Sequence, residues 1–515
     1  GHSSTSISVA SGLARAKKLQ NDQHHVIAVI GDGAFTSGLA FEGANNAARF
    51  GDNLIVILND NKMSISKNVG SFSKYLSKIR ARPAYFRTKD RVESICNHLP
   101  LIGKPLNQLL VWLKTTMKTV VYGSNWFEDM GFCYLGPIDG HNMETLCDVL
   151  QRAKNLHRPV FLHIETQKGK GYSYAEENPG EYHGTSGFDI DTGKSFSSAS
   201  TNFSNEFGLY LTELAKRDER ICAITAAMKY GTGLNHFSRA FGQQGRFFDV
   251  GIAEPHAVTF AGGLAANGML PVFAVYSSFL QRCYDQIIHD LSIEQQHVVI
   301  GIDRAGIVGS DGETHQGLFD VAMLSSVPGI TLYSPATYEE MRCSLYKSLY
   351  EHTGVCCVRY PRGGESKLPA FDPQVPWAIE PKGAKPRLLL VTYGKLSAQA
   401  VQAAQTLSQQ GVPTAVLKLL RLLPFCEEAV EQAMQAEYVL FAEEGIESGG
   451  IGQMFGSRLL ENGFQGHYRV LAVHDRFVEQ ATPDRALALC GLDAQSMVQT
   501  CTQWMKEQQT EDFDR

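Results

Sequence analysis

Gly31-Asp32-Gly33 and, further along, Asn59-Asp60-Asn61 bring together residue types that can hold a divalent cation on a phosphate. Magnesium takes hard oxygen ligands in octahedral geometry and usually shares them with a substrate phosphate. One carboxylate, one amide oxygen and one backbone carbonyl make a suitable protein set: here Asp32, Asn61 and the carbonyl of Met63. Each cluster follows an apolar run of strand length, Val26–Ile30 before the first and Leu54–Leu58 before the second, with an Ala-rich helical stretch, Ser37–Phe50, between them. Both polar clusters therefore fall at the carboxyl ends of parallel strands, where open α/β sheets place their ligands. Taken alone, the two motifs also suit a tight turn and a surface loop, so the remaining candidates decide.

Phe248-Asp249-Val250-Gly251-Ile252-Ala253-Glu254-Pro255-His256 ends a strand with an acid at the entry to an apolar helix, His256–Asn267. Pro255 suits the first helical position, where a missing N–H costs nothing. A buried glutamate at this junction would stay protonated at neutral pH and could donate a hydrogen bond to a ring nitrogen, because desolvation raises a carboxyl pKa. The plainer alternative is an acid that favours the helix dipole. Three further loops follow apolar strands: Tyr276-Ser277-Ser278-Phe279-Leu280-Gln281-Arg282, Asp311-Gly312-Glu313-Thr314-His315-Gln316-Gly317 and Arg359-Tyr360-Pro361-Arg362-Gly363. Arginine binds two phosphate oxygens at once, and His315 can shuttle protons. His183 sits in a polar loop, Gly180–Gly184, with no packing demand for imidazole. The opening Gly1-His2-Ser3-Ser4-Thr5-Ser6 reads as a phosphate-contacting loop feeding a helix, Ile7–Leu19, and the absence of a strand before it suggests a sheet short of its first elements.

These residues need a large scaffold. The 515 residues exceed what one core supports, roughly 250 to 300 residues. A third strand, Pro159–Glu165, leads to the loop Lys168-Gly169-Lys170-Gly171-Tyr172, after a long insertion, Ser64–Asn125, with an amphipathic stretch at Leu106–Met117. A polar Ser/Thr/Gly linker, Thr185–Asn205, marks a boundary. Short apolar strands recur at Ile221–Thr225, Phe247–Gly251, Leu270–Val275, Val298–Asp303 and Val355–Arg359. After the Pro-rich stretch Pro369–Pro386 they recur again at Leu388–Thr392, Thr414–Lys418, Tyr438–Ala442 and Tyr468–Val473. The expectation is three consecutive α/β domains with mainly parallel sheets flanked by helices, at 1–200, 201–378 and 379–515. A net charge of -6 with dispersed Lys and Arg offers no stripe for nucleic acid. The 11 cysteines lack a Cys-x-x-Cys pair and read as buried hydrophobes of a reducing compartment. No apolar run approaches the roughly 20 residues that cross a bilayer, and no signal peptide opens the chain, so a cytoplasmic protein is expected.

Together, GHSSTSIS at Gly1–Ser8, the GDG and NDN clusters, Ala253–Gly263, YSSFLQRCYDQ at Tyr276–Gln286, DRAGIVGSDGETHQG at Asp303–Gly317 and RYPRG at Arg359–Gly363 resemble the 1-deoxy-D-xylulose 5-phosphate synthases, thiamine diphosphate enzymes of the transketolase group. The resemblance runs from residue 1 to the C-terminus, and the last three motifs are its most specific part. It implies two thiamine diphosphate-binding folds followed by a transketolase C-terminal-like domain. It also implies thiamine diphosphate with Mg2+, pyruvate and D-glyceraldehyde 3-phosphate as substrates, a homodimer, and a product upstream of isoprenoid, thiamine and pyridoxal phosphate synthesis. Glu254 would hydrogen-bond the aminopyrimidine ring, and His183 and His315 would handle proton transfers. Tyr276, Arg282 and Arg362 would hold the aldehyde's phosphate, Phe279 would meet the cofactor ring, and Asp311 would orient substrate. Ser3, Ser4, Gly33, Ala34 and Asn61 would contact the cofactor, with Lys168 or Lys170 at the diphosphate. Pro255 stands where that group usually carries glutamine, and the chain is expected to lack the family's N-terminal portion, which puts its own turnover in question. Competing readings are a transketolase or 2-oxoacid dehydrogenase β-type component with the same cofactor, and a catalytically silent homologue that dimerises with or regulates an active partner.

Overall fold

The computed structural model describes residues 2–49, 51–63, 71–80, 125–185, 187–196, 201–309, 311–383 and 385–513. The chain forms two compact units, one of His2–Ser197 with Gly251–Ala253 and the other of Ser198–Val250 with Glu254–Arg515.

The first unit is built on β1 (Val26–Gly31), β2 (Leu54–Asp60), β3 (Cys133–Asp139) and β4 (Val160–Glu165) in the order β1-β2-β4-β3, all parallel. Leu54–Leu58 of β2 are buried, as an apolar run with both faces covered requires, whereas β1 buries Val26, Ala28 and Ile30 and leaves Ile27 and Val29 exposed. Register places Gly31 beside Asn59, Asn59 beside Ile164 and Asp60 beside Glu165, so three adjacent strands release their polar ends side by side. Helices Ser6–Leu19 and Gly38–Ala47 cover one face, over a core that includes Phe35, Phe127 and Phe161. The apolar-run reading finds β1, β2 and β4 but passes over β3, because Gly136 and Pro137 interrupt it. Gly136 has φ +121°, and a Cβ there would stand 2.3 Å from the His163 carbonyl oxygen. Most of the expected insertion, including Leu106–Met117, lies outside the described residues; within it the helix Ser71–Arg80 is described.

The second unit holds two sheets. β5 (Ile221–Thr225), β6 (Phe247–Asp249), β7 (Leu270–Tyr276), β8 (Val298–Asp303), β9 (Thr331–Tyr333) and β10 (Val355–Arg359) run parallel. The other sheet contains β11 (Trp377–Glu380), β12 (Leu388–Tyr393), β13 (Thr414–Leu419), β15 (Tyr438–Ile446) and β16 (His467–Val473), in the order β11-β13-β12-β15-β16. The short β14 (Arg421–Leu423) leaves that segment to pair antiparallel with β9, which completes the order β14-β9-β10-β8-β7-β5-β6. One apolar core runs through both sheets, from Ile224 and Ile300 to Leu417 and Phe441. The expected parallel strands are present. The three not anticipated, β9, β11 and β14, are three or four residues long, and β11 and β14 pair antiparallel at sheet edges. The expected linker stops short of Asn205: the helix Phe203–Arg217 starts inside it, and the Asn202 side chain caps the Asn205 amide at 2.8 Å. Among the described residues no helix is long and apolar enough to cross a membrane.

Candidate active-site residues

At the carboxyl ends of β1, β2 and β4, Asp32 opens the short helix Asp32–Phe35 and is 2 % exposed. Its Oδ1 accepts the Gly33 amide at 3.1 Å and its Oδ2 accepts the Lys62 amide at 2.9 Å. The same Lys62 N–H donates to Asp60 Oδ1 at 3.2 Å, so one backbone amide ties together the carboxylates of the two motifs. Burial first, and then the adjoining Asp60 carboxylate, push the Asp32 carboxyl upward from its ordinary value. Asn61 Oδ1 accepts the Met63 amide at 3.0 Å, which folds the expected ligand turn back on itself. Ser4 is 4 % exposed and donates from Oγ to the Ala34 carbonyl at 2.7 Å; Ser3 is exposed. The serine loop and the Gly-Asp-Gly turn are therefore one structure.

The loop after β4 separates the two lysines. Lys168 is half-buried and its Nζ donates to His183 Nδ1 at 2.7 Å. Burial lowers the Lys168 ammonium and the Asp32 charge raises it, whereas burial and the Lys168 charge both lower His183. Lys170 is exposed.

In the second unit, Glu254 is the first residue of the helix Glu254–Ala266 and is 2 % exposed. Pro255 therefore occupies the second position of that helix. Burial raises the Glu254 carboxyl, and Arg282, whose Nη1 lies 3.3 Å from Glu254 Oε2, counteracts the rise. Arg282, expected at a phosphate, also reaches the expected proton relay. The remaining candidates converge after β7, β8 and β10. The Phe279 ring stacks on Tyr276 at 5.6 Å between centroids and meets the His315 ring edge-on at 5.4 Å. Asp311 Oδ2 binds Arg362 Nη1 at 2.9 Å and Arg304 Nη1 at 3.1 Å, and the Arg304 guanidinium lies 3.9 Å above the Tyr276 ring. Burial pushes the Tyr276 phenol up to about 12 and holds His315 below its ordinary value. Gln316, 3 % exposed, fixes the His315 loop by accepting the Val308 and Gly309 amides at 2.7 and 3.2 Å. The cluster can bind a dianion through two guanidinium groups and present an imidazole beside it.

Sequence reasoning missed Arg304, although it follows β8 directly and the rule that selected Arg362 applies equally to it. It also missed Asp303, fully buried at the end of β8, and Gly231, where a Cβ would stand 1.7 Å from Tyr276 Oη. No local signal marks the last.

Parallel α/β sheets carry Gly-Asp-Gly with Asn-Asp-Asn in one unit and a buried acid at a helix start in the other, and the relatives of the chain make it a thiamine diphosphate-dependent transferase of the transketolase type. Three family profiles match in series: 1-deoxy-D-xylulose-5-phosphate synthase at residues 1–166, the transketolase pyrimidine-binding domain at 199–364 and the transketolase C-terminal domain at 378–497. The chain is 43% identical over 513 residues to 1-deoxy-D-xylulose-5-phosphate synthase of Caldanaerobacter subterraneus subsp. tengcongensis, covering 98% of this chain and 82% of that protein. It is 43% identical over 507 residues to the Clostridium kluyveri protein of the same name, with 97% and 80% covered. The chain belongs to the 1-deoxy-D-xylulose-5-phosphate synthase family. Among solved structures, transketolase from Campylobacter jejuni shares the fold at a TM-score of 0.51 and 16% identity, over 97% of this chain and 81% of that one. A split-gene transketolase described as an inactive β4 tetramer matches at 0.51 and 26% identity, over 59% of this chain and 98% of its own.

Proposed function

We propose that the chain catalyses the decarboxylating condensation of pyruvate with D-glyceraldehyde 3-phosphate to 1-deoxy-D-xylulose 5-phosphate and CO2, the first step of non-mevalonate isoprenoid synthesis. The observation that carries this reading is the Arg304–Asp311–Arg362 cluster around Tyr276 and His315, set in a chain 43% identical to a named synthase across 98% of its length. A phosphorylated aldehyde suits that cluster, because paired guanidinium forks recognise phosphate oxygens.

The residues also fit the cofactor and its ion. Asp32 and Asp60 are buried together, and two adjoining carboxylates in a low-dielectric site call for a cation or a proton. Asp32, Asn61 and the Met63 carbonyl would hold Mg2+; Ser3, Ser4, Gly33, Ala34, Asn61 and Lys168 would meet the diphosphate, with Lys170 as the less placed alternative. The pull of Asp32 on Lys168, and the exposure of Lys170, favour that order. Thiamine diphosphate supplies the electron sink for decarboxylation. Glu254, whose carboxyl burial raises, would donate in its protonated form to the aminopyrimidine ring, and Phe279 would pack against the cofactor. Arg282 tempers the Glu254 carboxyl and serves as a further phosphate contact. His183 accepts the Lys168 hydrogen bond through Nδ1, so its Nε2 carries the transferable hydrogen; His315 does the corresponding work at the aldehyde oxygen. Asp311 bridges Arg304 and Arg362 through Oδ2 and aims them.

Residues 1–200, 201–378 and 379–515 are proposed as the diphosphate, aminopyrimidine and C-terminal domains, in a cytoplasmic homodimer. The ten unpaired cysteines among the described residues suit a reducing compartment. The test is product formation by this chain with thiamine diphosphate, Mg2+, pyruvate and D-glyceraldehyde 3-phosphate, with its mass measured by light scattering. Deoxyxylulose phosphate supports the reading. Ketose phosphates accepted as donors in place of pyruvate would favour transketolase chemistry, and no product would refute the activity of the chain.

A further inference from the structure

Behind the turn that carries Asn61 and Met63 runs a buried polar chain that none of the roles above uses. Tyr134 on β3, His163 on β4 and Asp60 on β2 are 3 %, 0 % and 1 % exposed, in a layer otherwise filled by Phe127, Phe132 and Phe161. Tyr134 Oη lies 2.8 Å from His163 Nδ1, and His163 Nε2 lies 3.0 Å from Asp60 Oδ2. With Asp60 as a carboxylate acceptor, Nε2 carries the hydrogen and the phenol O–H donates to Nδ1, so one tautomer satisfies both ring nitrogens. Packing alone does not ask for these groups: Phe at 134 and Leu at 163 would fill the layer with nothing to satisfy, and buried polar groups cost stability unless every partner is met.

The chain ends on the backbone of the ligand turn. Asp60 Oδ1 accepts the Lys62 amide, which also reaches Asp32, and Lys62 has φ +64°, a left-handed conformation that residues with a Cβ avoid. That conformation turns the chain from Asn61 to Met63, and the Asp60 and Asp32 carboxylates share the amide that fixes it. Asp60 is gripped on its backbone too, by the Thr166 amide at 3.0 Å on its carbonyl.

We propose that Tyr134 and His163 are positioning residues that hold Asp60 so that the left-handed Lys62 turn presents Asn61, Met63 and Asp32 to the divalent cation. They act through Asp60 and touch no ligand themselves. The inference rests on the reading of Asp32, Asn61 and Met63 as the cation's ligands, and its test separates the two.

The full-length chain is titrated with Mn2+ in the presence of thiamine diphosphate and without substrates, with free Mn2+ followed by electron paramagnetic resonance. Outer-shell losses weaken metal binding by about 10- to 100-fold. Tyr134→Phe, which keeps its ring stacked on Phe127 at 5.5 Å, is expected to raise the Mn2+ dissociation constant by about 10-fold, and His163→Leu by up to about 100-fold. Tyr134→Phe should lower the metal-free melting temperature, because the buried His163 Nδ1 loses its donor, but its turnover should return as Mg2+ is raised, which a merely structural defect would not allow. Affinity of Tyr134→Phe within about twofold of the parent, or turnover that excess Mg2+ does not restore, overturns the proposal; should His163→Leu fail to fold, Tyr134→Phe decides. Asp32→Asn tells the failures apart. If it leaves Mn2+ affinity intact the ligand reading falls and the inference with it; if it abolishes binding while Tyr134→Phe changes nothing, the inference alone falls.

Discussion

Asp303 offers a test of the electrostatics behind the phosphate cluster. It ends β8, is fully buried, and neither carboxylate oxygen meets a partner at hydrogen-bonding geometry. Burial raises its pKa from 3.8 to about 7, against the Ser204 hydroxyl and the Arg304 and Arg362 charges, which draw it down. The folded chain therefore holds a proton that the unfolded chain has lost between those two values. More protons on the folded side means stability that is intact below about 3.8, falls as pH rises, and levels off above about 7. Three pKa units at 1.36 kcal/mol each put the full loss at about 4 kcal/mol, of which about 3 kcal/mol falls between pH 5 and pH 8. Asp303→Asn has nearly the same shape and does not titrate. Its own cost, whatever the amide meets, is independent of pH, so the slope of the difference carries the information. Urea unfolding of both chains at pH 5, 6.5 and 8 should show the variant gaining about 3 kcal/mol on the parent across the range. A difference that stays constant within about 0.5 kcal/mol would refute the claim that Asp303 is buried as an acid, and would mean that Arg304 and Arg362 keep it ionised despite the desolvation.

Four other outcomes are expected. Glu254→Ala should remove turnover and leave the fold intact by circular dichroism, since a positioned acid or base contributes about 10²- to 10⁴-fold; activity within tenfold of the parent would dismiss Glu254 from the proton relay. Arg304→Ala and Arg362→Ala should each raise the Michaelis constant for glyceraldehyde phosphate by about 10- to 100-fold and leave that for pyruvate alone, the loss of a charge-assisted hydrogen bond being about 1.5 to 3 kcal/mol; an unchanged constant takes that arginine out of the phosphate site. Gly231→Ala should lower the melting temperature, because its Cβ would lie 1.7 Å from Tyr276 Oη and 2.8 Å from Cζ and force the ring to move, at about 1 to 3 kcal/mol; equal stability in calorimetry would show that the ring yields freely. Lys168→Met should weaken thiamine diphosphate binding by calorimetric titration while Lys170→Met does not, and the reverse order would exchange their roles.

What the chain discloses in its residues, and what it conceals, follows from how far each determinant reaches. Parallel strands buried on both faces must be apolar throughout, so β2, β4, β7, β8, β12 and β13 are legible as runs, as is β1 although its Ile27 and Val29 are exposed, and the residues that follow them are legible as site candidates. Asp32, Asn61, Glu254, Tyr276, His315 and Arg362 become candidates by that rule, and the resemblance supplies their expected roles. β3 is held by its neighbour across a Gly136–Pro137 interruption, and β14 is three residues long and pairs with β9, far from it in the chain, so neither has a local pattern to read. The same limit governs the sites. Arg282 and Glu254 are 28 positions apart, and only the fold makes the arginine a tuner of the glutamate. Tyr134, His163 and Asp60 come from three strands, and in sequence His163 is one imidazole in an apolar run. Its meaning lies in the left-handed Lys62 that it indirectly secures, a backbone state that no residue type there announces. The sequence therefore discloses reactive groups more readily than the groups that aim them: a reactive group needs only a strand end, whereas an aiming group needs a neighbour brought in by the fold. In a family whose chemistry belongs largely to its cofactor, the aiming groups are much of what the protein itself contributes.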